Sequence, residues 1–219
     1  MNTHAARALL KYRKTDAARW LSHLDLTRIL ERAIRRAKLP VAYSEGFNPR
    51  LRMSFGPPLP LGASSDAELL LLRLVEPVGS SQIKERLSRQ LPAGIEMEEV
   101  RGLGDNEPGL PAIGGASYLV RAVCRADNPA DAARQAIAEF LARKSVIIER
   151  MDKNGPRRVD IRPGIDSIEL VVADRDIITM RIQISHLGER IPKPIEALQA
   201  LCGQEREFEV VSIHRESFY

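Results

Sequence analysis

The chain has 219 residues, of which 44% are hydrophobic and 28% charged, and a formal net charge of +4. That length and balance suffice for one large or two small globular domains and exclude wholesale disorder. The most apolar run, residues 69–75, is broken by Arg73 and is far too short to span a bilayer.

The basic residues Arg7, Lys11, Arg13 and Lys14 precede no apolar stretch of the secretory kind. Cys124 and Cys202 lie far apart, and His4, His23, His186 and His214 are scattered. This is neither a disulfide framework, nor zinc-ligand spacing, nor the set of thiolates an iron–sulfur cluster needs. The expectation is a cytoplasmic protein with reduced thiols, no membrane association, and no metal or cofactor of its own.

Charge is unevenly spread. Residues 1–60 carry twelve Lys/Arg against four Asp/Glu, whereas residues 61–219 carry 21 against 25. Such a split points to a localised surface for a polyanion.

In chain order, the pattern predicts a strand at 8–13 and a helix at 24–38 that ends at Leu39-Pro40. Extended segments follow at 41–44 and 51–55, then an apolar strand at 68–75. A helix at 82–91 places Ile83, Leu87 and Leu91 on one face before Pro92, and 95–101 closes the first half as a strand. Residues 102–116 hold five glycines and two prolines in fifteen positions, a composition that reads as a linker.

The second half opens with a strand at 118–124. A helix then starts at Asn128-Pro129, with Asn128 as N-cap, Pro129 at the first position, and Ile137 and Leu141 facing inward. Strands are predicted at 145–151, 157–161 and 167–173. Asp174-Arg175-Asp176 forms a tight hairpin into a strand where Ile178, Met180, Ile182 and Ile184 alternate with polar residues. A short helix from Pro194 carries Ile195, Leu198 and Leu201 and is closed by Gly203, and 208–214 is the last strand.

The predicted class is α+β: two tandem ferredoxin-like (βαββαβ) units with antiparallel sheets, residues 1–101 and 117–219, joined by the 102–116 linker.

Function concentrates in residues 19–55. Ser22 and Asp25 have the spacing of a capping box, with Ser22 taking an orphan amide and Asp25 reaching back. At 100° per residue, Arg28, Arg32, Arg35 and Arg36 fall within a stripe of about 100°, opposite Leu26, Ile29, Leu30, Ala33, Ile34 and Ala37. Guanidinium forks suit bidentate phosphate contact.

Next, Gly46 and Asn48-Pro49 set a turn between Tyr43 and Phe47, followed by Arg50 and Arg52 on one strand face. Basic groups interleaved with aromatics can hold phosphates and stack on bases. A weaker basic cluster, Lys153 to Arg158, reads as a hairpin tip.

Three stretches together resemble one family: Arg19-Trp20-Leu21-Ser22-His23-Leu24-Asp25, Glu31-Arg32-Ala33-Ile34-Arg35-Arg36-Ala37, and Leu39-Pro40-Val41-Ala42-Tyr43-Ser44-Glu45-Gly46-Phe47-Asn48-Pro49. With Pro58-Leu59-Pro60-Leu61-Gly62 and Val159-Asp160-Ile161-Arg162-Pro163, they are similar to the radical-SAM-linked protein family. That family is a domain of unknown function fused or adjacent to a radical S-adenosylmethionine protein. The resemblance implies a partner that carries the cluster and the radical chemistry. This chain has Arg50 where family members often place a His.

These readings lead to a non-catalytic accessory module that binds structured RNA, tRNA or rRNA, through Arg28, Arg32, Arg35, Arg36, Tyr43, Phe47, Arg50 and Arg52. Two alternatives stay open. One is an RNA-acting enzyme using His23 and Asp25. The other is a protein-interaction subunit that docks the radical S-adenosylmethionine partner without RNA.

Overall fold

A computed structural model describes residues 5–104, 106–152, 155–186, 191–202 and 207–219. The protein is α+β, and its named strand pairings are antiparallel. It divides into two compact units, Met1–Ala112 and Ile113–Tyr219.

In the first unit, β1 (Ala5–Lys14) leads through a short 3-10 turn into α1 (His23–Arg36). Then come β2 (Met53–Phe55), β3 (Ser64–Val78), α2 (Ser80–Ser88) and β4 (Ile95–Leu103). β1 lies between β4 and β3, and β2 pairs with β3 on its far side.

Alternation along these strands sends two sets of side chains in opposite directions. Ala8, Leu10 and Tyr12, with Leu70, Leu72 and Leu74 and with Ile95 and Met97, meet Leu26, Leu30, Ala33 and Ile34 of α1 and Ile83 and Leu87 of α2. Leu30 and Ile34 are completely buried, each stabilising the unit by about 1.5–3 kcal/mol. The other sheet face, bearing Leu9, Lys11, Arg13 and Arg73, has no helix of this unit on it among the described residues.

α1 ends two residues earlier than predicted. Ala37 closes it, with Lys38 at φ +51°, so the chain has already left helical geometry before Pro40. The strands predicted at 41–44 and 51–55 shrink to single bridges at Val41–Leu74 and Tyr43–Leu51 plus the three residues of β2. The Gly/Pro-rich stretch is partly ordered by what it touches. Arg7 donates to the carbonyls of Gly104 and Glu107, and Gly109 passes close over the end of the Leu71 side chain.

The second unit runs β5 (Gly115–Arg125), α3 (Pro129–Ala142), β6 (Ile147–Asp152), β7 (Gly155–Asp160), β8 (Ile165–Asp174), β9 (Ile177–Ser185), α4 (Pro194–Leu201) and β10 (Glu207–Phe218). Its sheet has the order β10-β5-β9-β8, while β6 and β7 pair only with each other as a separate hairpin. Asn128 caps α3 by accepting from the Asp131 amide at 3.3 Å. Ile178, Met180, Ile182 and Ile184 are fully buried, as their alternation predicts. The β8–β9 hairpin turns at Arg175, φ +53°, pairing Asp174 with Ile177. Gly203, expected to close α4, lies outside the described residues, as do Lys153 and Asn154. Among the described residues, no helix is long and apolar enough to cross a membrane.

Candidate nucleic-acid interface

α1 is strongly two-sided because its apolar residues recur at helical spacing and its arginines fill the remaining positions. Arg28, Arg32, Arg35 and Arg36 are all exposed on its outer side. Arg28 lies 3.6 Å from Asp25. Arg36 is fixed toward α2, donating to the Gln90 side-chain oxygen at 3.1 Å and to the Gln90 carbonyl at 2.6 Å. Arg32 and Arg35 have no hydrogen-bond or ion-pair partner among the described residues.

Arg32 and Arg36 also border a depression of about 420 Å³ with Ile29, Arg89, Leu91 and Pro92. Arg89, held at 2.6 Å by Glu85, adds a third guanidinium that the sequence reading had passed over.

The N-terminus of α1 departs from the expected capping box. Ser22 Oγ accepts from the Asp25 amide at 3.2 Å, and its hydroxyl donates to the Asp25 carboxylate at 2.7 Å. The carboxylate therefore holds the cap side chain instead of the Ser22 amide. His23, exposed, sets its ring edge-on to Phe55 with centroids 5.0 Å apart. With Asp25 turned to Ser22 and Arg28, no His23–Asp25 hydrogen bond is formed.

The loop after α1 is braced at its base: the Ser44 amide donates to the Arg50 carbonyl at 2.8 Å, and the Arg50 amide donates to Ser44 Oγ at 3.0 Å. Gly46 at φ +112° makes the turn, a conformation that glycine adopts without steric cost. Phe47 at the tip is fully exposed, Tyr43 is 49% exposed, and Arg50 is exposed beside them.

Arg52 is placed differently. Leu51, Met53 and Phe55 belong to the core, so alternation turns Arg52 and Ser54 to the helix-free face. The six arginines therefore occupy both sides of the first sheet: four on the helical layer, Arg52 on the opposite face, and Arg50 in the loop. In the second unit, Arg157 and Arg158 of β7 are exposed.

Antiparallel strands and a few helices in each unit place the chain in the α+β class. The chain belongs to the family described as "Uncharacterized protein conserved in bacteria (DUF2344)", whose model matches residues 7–193. No curated protein matches the chain.

Among solved structures, the fold is similar to that of a chain in a Cbf5-Nop10-Gar1 complex. The TM-score is 0.59 at 10% identity, covering 98% of this chain and 50% of that one. It is also similar to a chain of the archaeal box H/ACA sRNP Nop10-Cbf5 complex, with a TM-score of 0.50, 11% identity, and 97% and 48% covered. This protein thus spans about half the length of the chains it matches.

Proposed function

We propose that the chain is a non-catalytic module that grips structured RNA, tRNA or rRNA, by the outer face of α1 and the Tyr43–Arg50 loop, as accessory to a radical S-adenosylmethionine protein. The observation that carries the reading is the stripe of Arg28, Arg32, Arg35 and Arg36, exposed together with Asp25 as its only carboxylate partner among the described residues. Unbalanced cations on a rigid helix are the footprint of phosphate recognition. Phe47, at the tip of a braced turn, supplies a π-face for an unpaired base.

Similarity in fold to chains of a Cbf5-Nop10-Gar1 complex and of an archaeal box H/ACA sRNP is compatible with an RNA partner. Each unit is read as ferredoxin-like, supported by the orders β4-β1-β3-β2 and β10-β5-β9-β8, with β6–β7 inserted in the second. Residues 1–101 and 117–219 are then the domains, and the cytoplasm the compartment. The radical S-adenosylmethionine partner rests on the sequence resemblance.

The test is binding of bulk tRNA and rRNA fragments across a salt series. Micromolar or tighter binding is expected, and roughly four to six phosphate contacts on single strands correspond to log K falling against log[salt] at a slope of roughly −3 to −4. Replacing Arg28, Arg32, Arg35 and Arg36 together by alanine is expected to abolish it. Absence of binding at low salt overturns the reading.

One observation favours protein docking in its place: Trp20, Leu24 and Leu61 are exposed by 62%, 67% and 67% around the start of α1. A protein complex lost on Trp20→Ala, with no RNA affinity, decides for it.

A further inference from the structure

The helix-free face of the first sheet carries its own cations, most of them answered locally. Lys11 Nζ lies 2.8 Å from Glu98, Arg13 Nε 2.7 Å from Asp66, and Arg101 3.2 Å from Glu107. Arg7 is taken up by the carbonyls of Gly104 and Glu107.

At the β2 edge this pattern stops. β2 and β3 pair Met53 with Leu72 and Ser54 with Leu71, and the Arg73 amide donates to the Arg52 carbonyl at 3.1 Å. Arg52 and Arg73 therefore stand opposite each other across the strands, both exposed on one face. Like charges so placed repel and destabilise a strand pair unless something between them is anionic. The Arg73 guanidinium has no hydrogen-bond or ion-pair partner among the described residues, and that of Arg52 has only the 98%-exposed Glu45, 3.9 Å away.

Around the pair is a hollow of about 330 Å³ lined by Ser44, Leu51, Arg52, Met53, Ser54, Leu71 and Arg73, with no carboxylate in its wall. Ser44 Oγ already accepts from the Arg50 amide, so its hydroxyl proton remains a donor. Ser54, exposed beside it, is a second.

We propose that this hollow is a phosphomonoester site, with Arg52 and Arg73 clamping the phosphate from two strands and Ser44 and Ser54 donating to its remaining oxygens. Two guanidiniums, answered only by the solvent-exposed Glu45 at 3.9 Å from Arg52, leave positive charge in excess that suits a dianion, and their planar forks match phosphate oxygens bidentately. A terminal phosphate of an RNA and a small phosphorylated metabolite present the same group. The site is independent of the α1 arginines, which belong to the other layer.

The experiment uses the full chain and three probes: inorganic phosphate, a short RNA with a 5′-phosphate, and the same RNA with a 5′-hydroxyl. The phosphorylated RNA is expected to bind roughly tenfold tighter than its hydroxyl twin. That preference should shrink between pH 7.5 and 5.5, as the phosphate's second proton, of pKa about 6, goes on.

Arg73→Gln is expected to remove the preference and Arg73→Lys to restore it in part, since a point charge lacks the fork. Without ligand, the melting temperature of Arg73→Gln should be unchanged or raised, because a like-charge pair is gone. The α1 alanine variant should keep the preference.

Equal affinity for the two RNAs together with no response to inorganic phosphate overturns the site, whatever α1 does with tRNA. Phosphate binding that survives while tRNA binding is absent upholds the site, assigns it to a small phosphorylated molecule, and removes the RNA reading alone.

Discussion

Arg215 and Tyr118 are cross-strand partners of β10 and β5, and both Nε and an Nη of the arginine donate to the phenol oxygen, at 3.1 and 2.9 Å. Arg215 is 1% exposed and Tyr118 3%, and the guanidinium also stacks near the Tyr118 and Phe218 rings at 5.3 and 4.8 Å. A buried charge is tolerated only where its donors are met. Tyr118→Phe keeps the ring but removes the acceptor and should cost about 1–3 kcal/mol of stability. Chemical denaturation of the two proteins measures it. A variant as stable as the parent would show that other groups around Arg215 suffice.

Gly94 should not tolerate a side chain. It sits at φ +83°, and a Cβ there would come 2.7 Å from the Thr15 carbonyl, beside the bond by which the Thr15 amide donates to the Gly94 carbonyl. Gly94→Ala is expected to destabilise the first unit by about 2 kcal/mol or more. The readout is the denaturation midpoint.

Acid should weaken the second unit in two separable steps. Burial, and then the charge of Arg215, hold the His186 pKa below its usual 6.5, and its Nδ1 is buried without a hydrogen-bond partner. The fold thus favours neutral imidazole. Its contribution is complete above the unfolded pKa and is lost as pH falls from there through the folded value.

Glu216 is depressed below 4.5, first by the hydrogen bond from Arg181 (2.9 Å) and further by Ser117. Its contribution is present above 4.5 and goes as pH falls through the lower, folded value. Melting temperature against pH should therefore flatten in the upper window for His186→Gln and in the lower one for Glu216→Gln. Unchanged curves count against each assignment.

Asp25 works against the arginine stripe. Only 3.6 Å from Arg28, it neutralises part of the stripe's charge, so on the proposed RNA reading Asp25→Asn should tighten binding two- to threefold at low salt, on the order of 0.5 kcal/mol. Ser22→Ala removes the oxygen that accepts the Asp25 amide and should cost about 1 kcal/mol of stability. Comparing affinity and melting temperature for the two variants separates cap from charge. Weaker binding in Asp25→Asn would contradict the electrostatic account.

The helix carrying the stripe was legible because its information is local: the fourteen residues of α1 state the apolar face and the charges, and Ser22 just before them states the cap. Arg73 was not. Within 69–75 it looks like one polar interruption of a buried strand, and its meaning depends on the register that sets it against Arg52, twenty-one positions away in the chain. Arg89 was missed for the same reason, since its nearness to Arg32 and Arg36 is a tertiary fact.

The β6–β7 hairpin was legible as two strands, but not as a sheet apart from the main one. Period-2 alternation reports which face is buried, not which strand is the neighbour.

The division of α1 into a face that folds and a face that offers charge has a further consequence. Leu26, Leu30, Ala33 and Ile34 fix the helix, and the exposed arginines other than Arg36, which is tied to Gln90, contribute little to holding it in place. Their number can drift under selection, or be dialled one residue at a time in the laboratory, with little penalty in folding. The charge that α1 presents and the packing that holds it are set by different residues of a single helix.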